Sequence, residues 1–241
     1  MARALLMILF VSVPFVGACR SGIASQAEAV ILLHGLGRTD RSMRPLEKRL
    51  TNSGFQVYNF RYRSTDKTPE AVVDDLSAQV EACCTEVPSL HFVGHSLGGI
   101  LIRAYLAKEP PSNIGRVVML APPNHGSELV DALSGWALFR WALGPTAQQL
   151  GTGMDSLPNR LPPPAVEVGV VAGTSSVNPI GSFVIPDEDD GMVSVASTKL
   201  EGMSDFLVVP SSHAFIMRGE EVSVQVVHFL RTGRFRHEAS D

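Results

Sequence analysis

The sequence predicts an α/β fold built on a doubly wound, mostly parallel β-sheet. Apolar runs typical of buried strands alternate with segments of helical periodicity, six times along the chain. A serine flanked by glycines, Ser96, stands between one of these strands and the helix that follows it. With 241 residues, 45% hydrophobic and 18% charged, the chain is long and apolar enough for one sizeable globular domain.

The predicted strands are mostly apolar, as is typical of a parallel sheet that is covered on both faces. They lie at residues 29–33, 55–60, 90–93, 116–120, 167–173 and 206–209. Helical periodicity predicts helices at residues 41–52, 69–80, 100–107 and 220–230. Thr68 before Pro69 is typical of a helix start, because threonine caps the first turn and proline fits its first position.

Residues 94–99, with the sequence GHSLGG, form the motif on which the functional interpretation depends. Between a strand and a helix, G-x-S-x-G places the serine on a sharp, strained turn with its hydroxyl above the sheet. Glycines two residues to either side let the strand and the helix approach without a Cβ clash. The amide N–H of Leu97 then points to where an oxyanion would form, whereas the side chain of His95 should point away from the pocket. An ordinary glycine-rich connection is the alternative.

A serine nucleophile needs a general base, an orienting acid and two oxyanion donors. On this type of turn they follow in the order serine, acid, histidine. His213 lies on the loop after the last predicted strand and is therefore the predicted base. His125 also follows a strand, but no suitable acid lies between it and Ser96. The remaining histidines precede or adjoin the serine, or lie in or after the last helix: His34, His91, His95, His228 and His237.

The acid is expected on the loop between the last two predicted strands, which carries four carboxylates at residues 187–190. Asp190 is the predicted acid, because Gly191 and an apolar pair at residues 192–193 turn the chain back towards the core. A run of acidic residues is usually a solvated loop, and Asp187 and Asp189 remain alternatives.

The second oxyanion donor is expected on the loop after the first strand, where residues 34–37 read HGLG. Gly35 allows a tight turn, and the amide of Leu36 is the predicted donor. A turn that merely ends the strand is the alternative.

These motifs resemble the bacterial lipase and esterase branch of the α/β-hydrolases, and are similar to lipase-like inositol-deacylase domains. The resemblance covers residues 29 to about 230 and rests on segments 34–37, 94–99, 123–127, 190–193 and 213–217. It implies a sheet of the α/β-hydrolase type, with Asp190 as the triad acid. Many members hold calcium between paired aspartates; this chain has no second such cluster, so we expect no metal and no cofactor.

Residues 127–161 interrupt the alternation of strands and helices. An insertion after this strand lies at the carboxyl end of the sheet, over the serine. We therefore expect a small helical cap in which Trp136, Phe139 and Trp141 line or cover an acyl-binding site. Additional core helices are the alternative.

Residues 1–19 are typical of a secretory signal, residues 20–28 of a polar tether, and residues 29–241 of the hydrolase domain. The first segment has Arg3, an apolar run too short for a stable membrane span, and small residues before Cys19. It suits either lipidation of Cys19 or ordinary signal cleavage. We expect an exported protein, periplasmic or membrane-anchored as a lipoprotein in a bacterium.

Charge and cysteine content exclude some partners. The net charge is −4 and no run of lysine or arginine occurs, so nucleic acid is not an expected partner. Cys83 and Cys84 are expected to be free thiols at a helix end, with pairing to an unlipidated Cys19 as an alternative. The histidine and cysteine spacing does not suggest zinc.

The favoured function is hydrolysis of carboxylic esters, with a small ester or lipid substrate, through an acyl-enzyme on Ser96. Acyl transfer and thioester cleavage would use the same residues. A non-catalytic, exported lipid-binding scaffold is the alternative from another class, because fold alone does not imply activity.

Overall fold

The computed structural model describes residues 27–136, 144 and 146–237. The expected signal segment, most of the tether and Cys19 lie outside the described residues, as do Phe139 and Trp141.

Within the described residues the strands form one six-stranded sheet in the order β2-β1-β3-β4-β5-β6. They are β1 Ala29–Leu33, β2 Gln56–Phe60, β3 Leu90–His95, β4 Ile114–Leu120, β5 Val168–Gly173 and β6 Asp205–Val209. Every neighbouring pair is parallel. The chain runs from β1 to one edge and then from β3 to the other, so the strand order reverses between β1 and β3. The predicted doubly wound parallel sheet is confirmed.

Helices cover both faces of this sheet. They are α1 Arg44–Asn52, α2 Pro69–Cys83, α3 Leu97–Lys108, α4 Glu128–Leu133, α5 Leu157–Arg160, α6 Pro179–Val184, α7 Val195–Thr198 and α8 Glu220–Thr232. Alternate residues of β1 belong to different cores: Ile31 packs in the core of α2 and α3, and Leu32 in the core of α1 and α8. All five residues of β1 are buried, which explains why its sequence is apolar throughout.

The helix predicted at residues 41–52 begins differently from the expectation. Asp40–Met43 forms a 3-10 turn, and the α-helix begins at Arg44 with Pro45 in its first turn. Proline lacks an N–H, so it suits the start of a helix. Further along the chain, β5 and β6 are joined by the short helices α6 and α7, and the loop between these two helices carries the four carboxylates.

The expectation for Cys83 and Cys84 was wrong, because the structure joins their sulfurs in a disulfide. Cys84 directly follows α2, and its backbone leaves the helical conformation with φ −137° and ψ 11°. Spacing along the chain does not reveal such a change of backbone direction at a helix end.

Candidate active site

Ser96 lies on the turn between β3 and α3 in a backbone conformation that L-residues rarely adopt. Its φ is 52° and its ψ is −121°, and its N–H donates a hydrogen bond to the carbonyl of Leu120 at 2.9 Å. Such conformations cost on the order of 1–3 kcal/mol and are concentrated at functional sites. The surrounding strands therefore hold this serine in a strained position at the carboxyl end of the sheet.

Two glycines of the motif make this turn sterically feasible. A Cβ at Gly94 would lie 2.5 Å from the backbone of Gly98 and Gly99, and one at Gly98 would lie 2.4 Å from the carbonyl oxygen of Leu33. Only glycine permits α3 to start so close to both β3 and β1.

The structure brings together the serine, histidine and acid that the sequence predicted. The hydroxyl of Ser96 lies 2.9 Å from Nε2 of His213, and Nδ1 of His213 lies 2.8 Å from Oδ2 of Asp190. Because a carboxylate only accepts, the proton of the neutral ring is on Nδ1, and Nε2 is left to accept from the serine hydroxyl. This geometry matches the hydrogen-bond chain that a nucleophile, a base and an orienting group form in a serine hydrolase.

Asp190 is fixed by its own loop. Its Oδ1 accepts hydrogen bonds from the N–H groups of Met192 and Val193 at 3.0 and 2.9 Å, and the residue is 1% exposed. Its carbonyl accepts from the N–H of His213 at 3.0 Å. Asp190 and His213 are therefore joined by one backbone and one side-chain hydrogen bond. Together these bonds restrict the orientation of the imidazole ring.

The other acidic residues of the loop have different surroundings. Asp187 and Glu188 are exposed. Asp189 is half-buried rather than solvated, and its Oδ1 accepts from the hydroxyl of Ser182 at 2.8 Å and from the N–H of Gly191 at 2.6 Å. Asp189 therefore stabilises the turn that positions Asp190 beside His213.

Leu36 and Leu97 carry the two amides that the sequence proposed as oxyanion donors. Leu97 is the first residue of α3, and the side chain of Leu36 lines the cavity beside Ser96. Neither N–H has an acceptor among the described residues, so both are available to a ligand.

The loop that carries Leu36 is held by residues that sequence reasoning missed. The hydroxyl of Tyr62 donates to the carbonyl of His34, and the two rings stack with centroids 4.0 Å apart. The N–H of Gly37 donates to the hydroxyl of Ser64 at 3.0 Å. Tyr62 and Ser64 follow β2, which lies beside β1, and sequence spacing did not reveal that these two strands are neighbours.

His95 was expected to point away from the pocket, and this was wrong. It lines the cavity, and its Nε2 donates to the carbonyl of His213 at 3.0 Å, with the ring centroids 4.9 Å apart. Burial lowers the pKa of His95 well below its usual value, and the charges of His213 and Arg38 lower it further. The ring is therefore a neutral support for the loop of His213.

A cavity of about 230 Å³ opens beside Ser96 and His213. Its apolar walls include Leu36, Pro123, Val130, Leu150, Met192 and Val193. Val130 and Leu150 come from the predicted cap segment, so this segment contributes to the wall. Trp136 is 65% exposed and is not among the described residues that line the cavity. Its acyl-binding role, like those of Phe139 and Trp141, stays a prediction.

No group of three or more His, Cys, Asp or Glu side chains in the described part of the chain could hold a metal ion. None of the helices formed by residues 27–136, 144 and 146–237 is both long and apolar enough to span a bilayer.

A parallel sheet with a serine on a strand–turn–helix corner, followed by an acid and a histidine on later loops, defines the α/β-hydrolase class. Residues 30–224 match the model of the Alpha/beta hydrolase family. The chain belongs to this family.

Individual relatives are similar over part of their length. A putative carbamate hydrolase, RutD, of Variovorax paradoxus (strain S110) is 30% identical over 119 residues, which are 45% of this chain and 44% of that protein. The structure of Bacillus licheniformis lipase BlEst2 in its propeptide form matches with a TM-score of 0.68 at 18% identity, over 90% of this chain and 52% of that one. Phospholipase PlaB from Legionella pneumophila matches with a TM-score of 0.68 at 20% identity, over 86% of this chain and 60% of that one. The chain thus spans less than two thirds of each.

Proposed function

We propose that the protein hydrolyses carboxylic esters through an acyl-enzyme on Ser96. The observation that carries this proposal is the hydrogen-bond chain from Ser96 through His213 to the buried Asp190, opening into a cavity with largely apolar walls. An apolar cavity beside a nucleophile suits the acyl part of an ester.

In the first half of the reaction, Nε2 of His213 takes the proton of the Ser96 hydroxyl as Oγ forms a bond to the ester carbonyl carbon. The carbonyl oxygen becomes an oxyanion, which accepts hydrogen bonds from the N–H groups of Leu36 and Leu97. The bond from carbon to the alcohol oxygen then breaks. His213 gives its proton to the alcohol, which leaves, and the acyl group stays on Ser96.

In the second half, His213 takes a proton from water as the water oxygen bonds to the acyl carbon. The bond to Ser96 Oγ breaks, the serine recovers its proton and the carboxylic acid leaves. Asp190 stays ionised throughout. It holds the proton of the neutral ring on Nδ1 and stabilises the imidazolium that forms in each half.

The names of the relatives point to two classes of carbonyl substrate. The two similar structures named above are a lipase and a phospholipase. A third relative is named a putative carbamate hydrolase. Carbamates are a second class of carbonyl substrate that Ser96 could attack. We favour esters because the apolar cavity walls provide a site for an alkyl chain.

Labelling with a fluorophosphonate probe tests the nucleophile, with Ser96→Ala as the control. We expect one adduct, on the peptide that contains Ser96, and no adduct in the variant. A panel of p-nitrophenyl esters of increasing chain length, with a p-nitrophenyl carbamate, then tests the substrate class. An unlabelled Ser96 in folded protein would refute the serine hydrolase, whereas carbamate cleavage without ester cleavage would refute only the choice of esters.

A further inference from the structure

Arg38 is a cation in the wall of the catalytic cavity. It follows Leu36 by two residues, and its half-buried side chain lines the same cavity as Ser96 and His213. Among the described lining residues it is the only lysine or arginine. The mechanism proposed above does not use it.

The guanidinium of Arg38 has no partner in the described part of the chain. It makes no hydrogen bond there and has no carboxylate within 4.0 Å. Two other arginines with restricted exposure are paired: Arg103 donates to Asn124 Oδ1 at 3.1 Å, and Arg116 to Glu167 at 2.6 Å. The half-buried Arg49 on α1 has no described partner either, so what distinguishes Arg38 is its place in the wall of the catalytic cavity. A partly desolvated cation without a partner is unfavourable, so its position points to a ligand.

A second arginine lies near it. Arg218 is on the 3-10 turn Ile216–Arg218, shortly after His213, with its guanidinium 5.6 Å from the centroid of the exposed ring of Phe215. Burial lowers the pKa of Arg38, and the charge of Arg218 lowers it further. Arg218 also has no described carboxylate within 4.0 Å. Arg218 is exposed and is not among the described residues that line the catalytic cavity, so it adds positive charge near Arg38 from outside the cavity wall.

Neither Asp40, which is near Arg38 in sequence, nor Asp190, the only carboxylate among the described lining residues, is paired with Arg38. Asp40, two residues after Arg38, lies 3.9 Å from Arg61. Asp190 bonds His213 and its own loop. Neither compensates the charge of Arg38.

We propose that Arg38 forms an anion subsite of the catalytic cavity, and that the natural substrate is an ester carrying a phosphate or carboxylate near the scissile bond. This rests on the proposed ester hydrolysis. The planar guanidinium donates two parallel hydrogen bonds to either oxyanion. Because Arg38 and Ser96 line one cavity, the anion and the ester belong to one small molecule, with the alkyl chain along the apolar wall.

Binding tests the subsite without catalysis. In Ser96→Ala protein, isothermal titration would compare hexyl phosphate, hexanoate and hexanol. We expect at least one oxyanion to bind about tenfold or more tightly than hexanol, and Arg38→Gln to remove the difference. Arg44 is an exposed arginine on α1 outside the cavity, so Arg44→Gln should leave the difference in affinity unchanged. Equal affinity for all three probes, or a difference that survives Arg38→Gln, would overturn the proposal.

Turnover then identifies the oxyanion. The substrates are 1-hexanoylglycerol, 1-hexanoylglycerol 3-phosphate and 4-(hexanoyloxy)butanoate. Arg38→Gln should lower kcat/KM about tenfold for the phosphate or the carboxylate ester and less than about twofold for the neutral ester, with partial retention in Arg38→Lys. Equal losses on all three would refute the subsite and leave the hydrolase intact. Failure of wild-type protein to hydrolyse any ester would refute the proposed function, while the binding test still decides the subsite.

Discussion

The Nε2 atom of His95 donates a hydrogen bond to the backbone carbonyl of His213 at 3.0 Å. The residue before Ser96 therefore supports the histidine that would deprotonate Ser96. Since a carbonyl only accepts, the proton of His95 is on Nε2. Its Nδ1 is buried and has no hydrogen-bond partner among the described residues. The folded protein therefore holds His95 neutral.

This relationship predicts how stability depends on pH. The pKa of His95 is lowered in the folded protein, chiefly by burial, so the unfolded chain takes up the proton first as the pH falls. The contribution of neutral His95 to the free energy of unfolding is fully present above the unfolded pKa of about 6.5. It is lost as the pH falls below that value. In His95→Gln, which keeps a donor at a similar position, the free energy of unfolding should depend less on pH, by up to about 1.4 kcal/mol per pH unit.

Urea denaturation between pH 7.5 and pH 5 measures this slope. Lowered pKa values of the buried His34 and His91 leave part of the slope in the variant. His125→Gln replaces an exposed histidine and should keep the wild-type slope. The same slope in wild-type and His95→Gln protein would show that His95 is not held neutral by folding.

Asp190→Asn should lower kcat by about 10³–10⁴, because asparagine keeps the shape but favours the wrong tautomer of His213. Asp187→Asn removes an exposed charge and should cost less than about tenfold. Asp189→Asn retains an acceptor oxygen for Ser182 and should also cost less than about tenfold. The measurement is kcat on a soluble short-chain ester, with circular dichroism to confirm folding. If Asp190→Asn stays near wild type while another variant collapses, the acid lies earlier in the loop.

Much of the fold was predictable because its requirements are local. The burial of both faces of β1 appears directly in its apolar sequence, and Gly94 and Gly98 are required by contacts within one strand–turn–helix unit and the adjacent strand. The 3-10 start before α1 was not predictable to the residue, since helix ends depend on details of the first turn.

The supporting residues of the site were not predictable from spacing. Tyr62 contacts His34 because β2 lies beside β1, and Arg38 and His213 line one cavity because two loops far apart in sequence end there. Such contacts are set by strand order and loop paths, which no short motif encodes. The position of His95 depends likewise on the path of the loop after β6.

The proposed export of the protein predicts a particular N-terminus. The expected signal of residues 1–19 should be removed, so that protein from the native host begins at Cys19 or close to it. Mass spectrometry of the N-terminal peptide measures this, and a diacylglyceryl adduct on Cys19 would establish lipidation. Functional protein with an intact Met1 would contradict export by this route.

Tyr62→Phe tests whether the loop of Leu36 must be held rigidly for catalysis. The variant keeps the stacked ring but loses the hydrogen bond from the Tyr62 hydroxyl to the carbonyl of His34. A net hydrogen bond contributes about 1 kcal/mol, and its loss lets the amide of Leu36 move away from the oxyanion position.

We therefore expect kcat to fall by about three- to tenfold, with KM for a short ester nearly unchanged. Tyr58→Phe is the control, because its hydroxyl accepts from the side chain of Gln56 and donates to the carbonyl of Cys83 at 3.4 Å, away from the cavity lining. Both variants should remain folded in urea denaturation, but only Tyr62→Phe should lose turnover. Equal kcat values in the two variants would show that the hydroxyl of Tyr62 stabilises the fold without positioning the Leu36 amide.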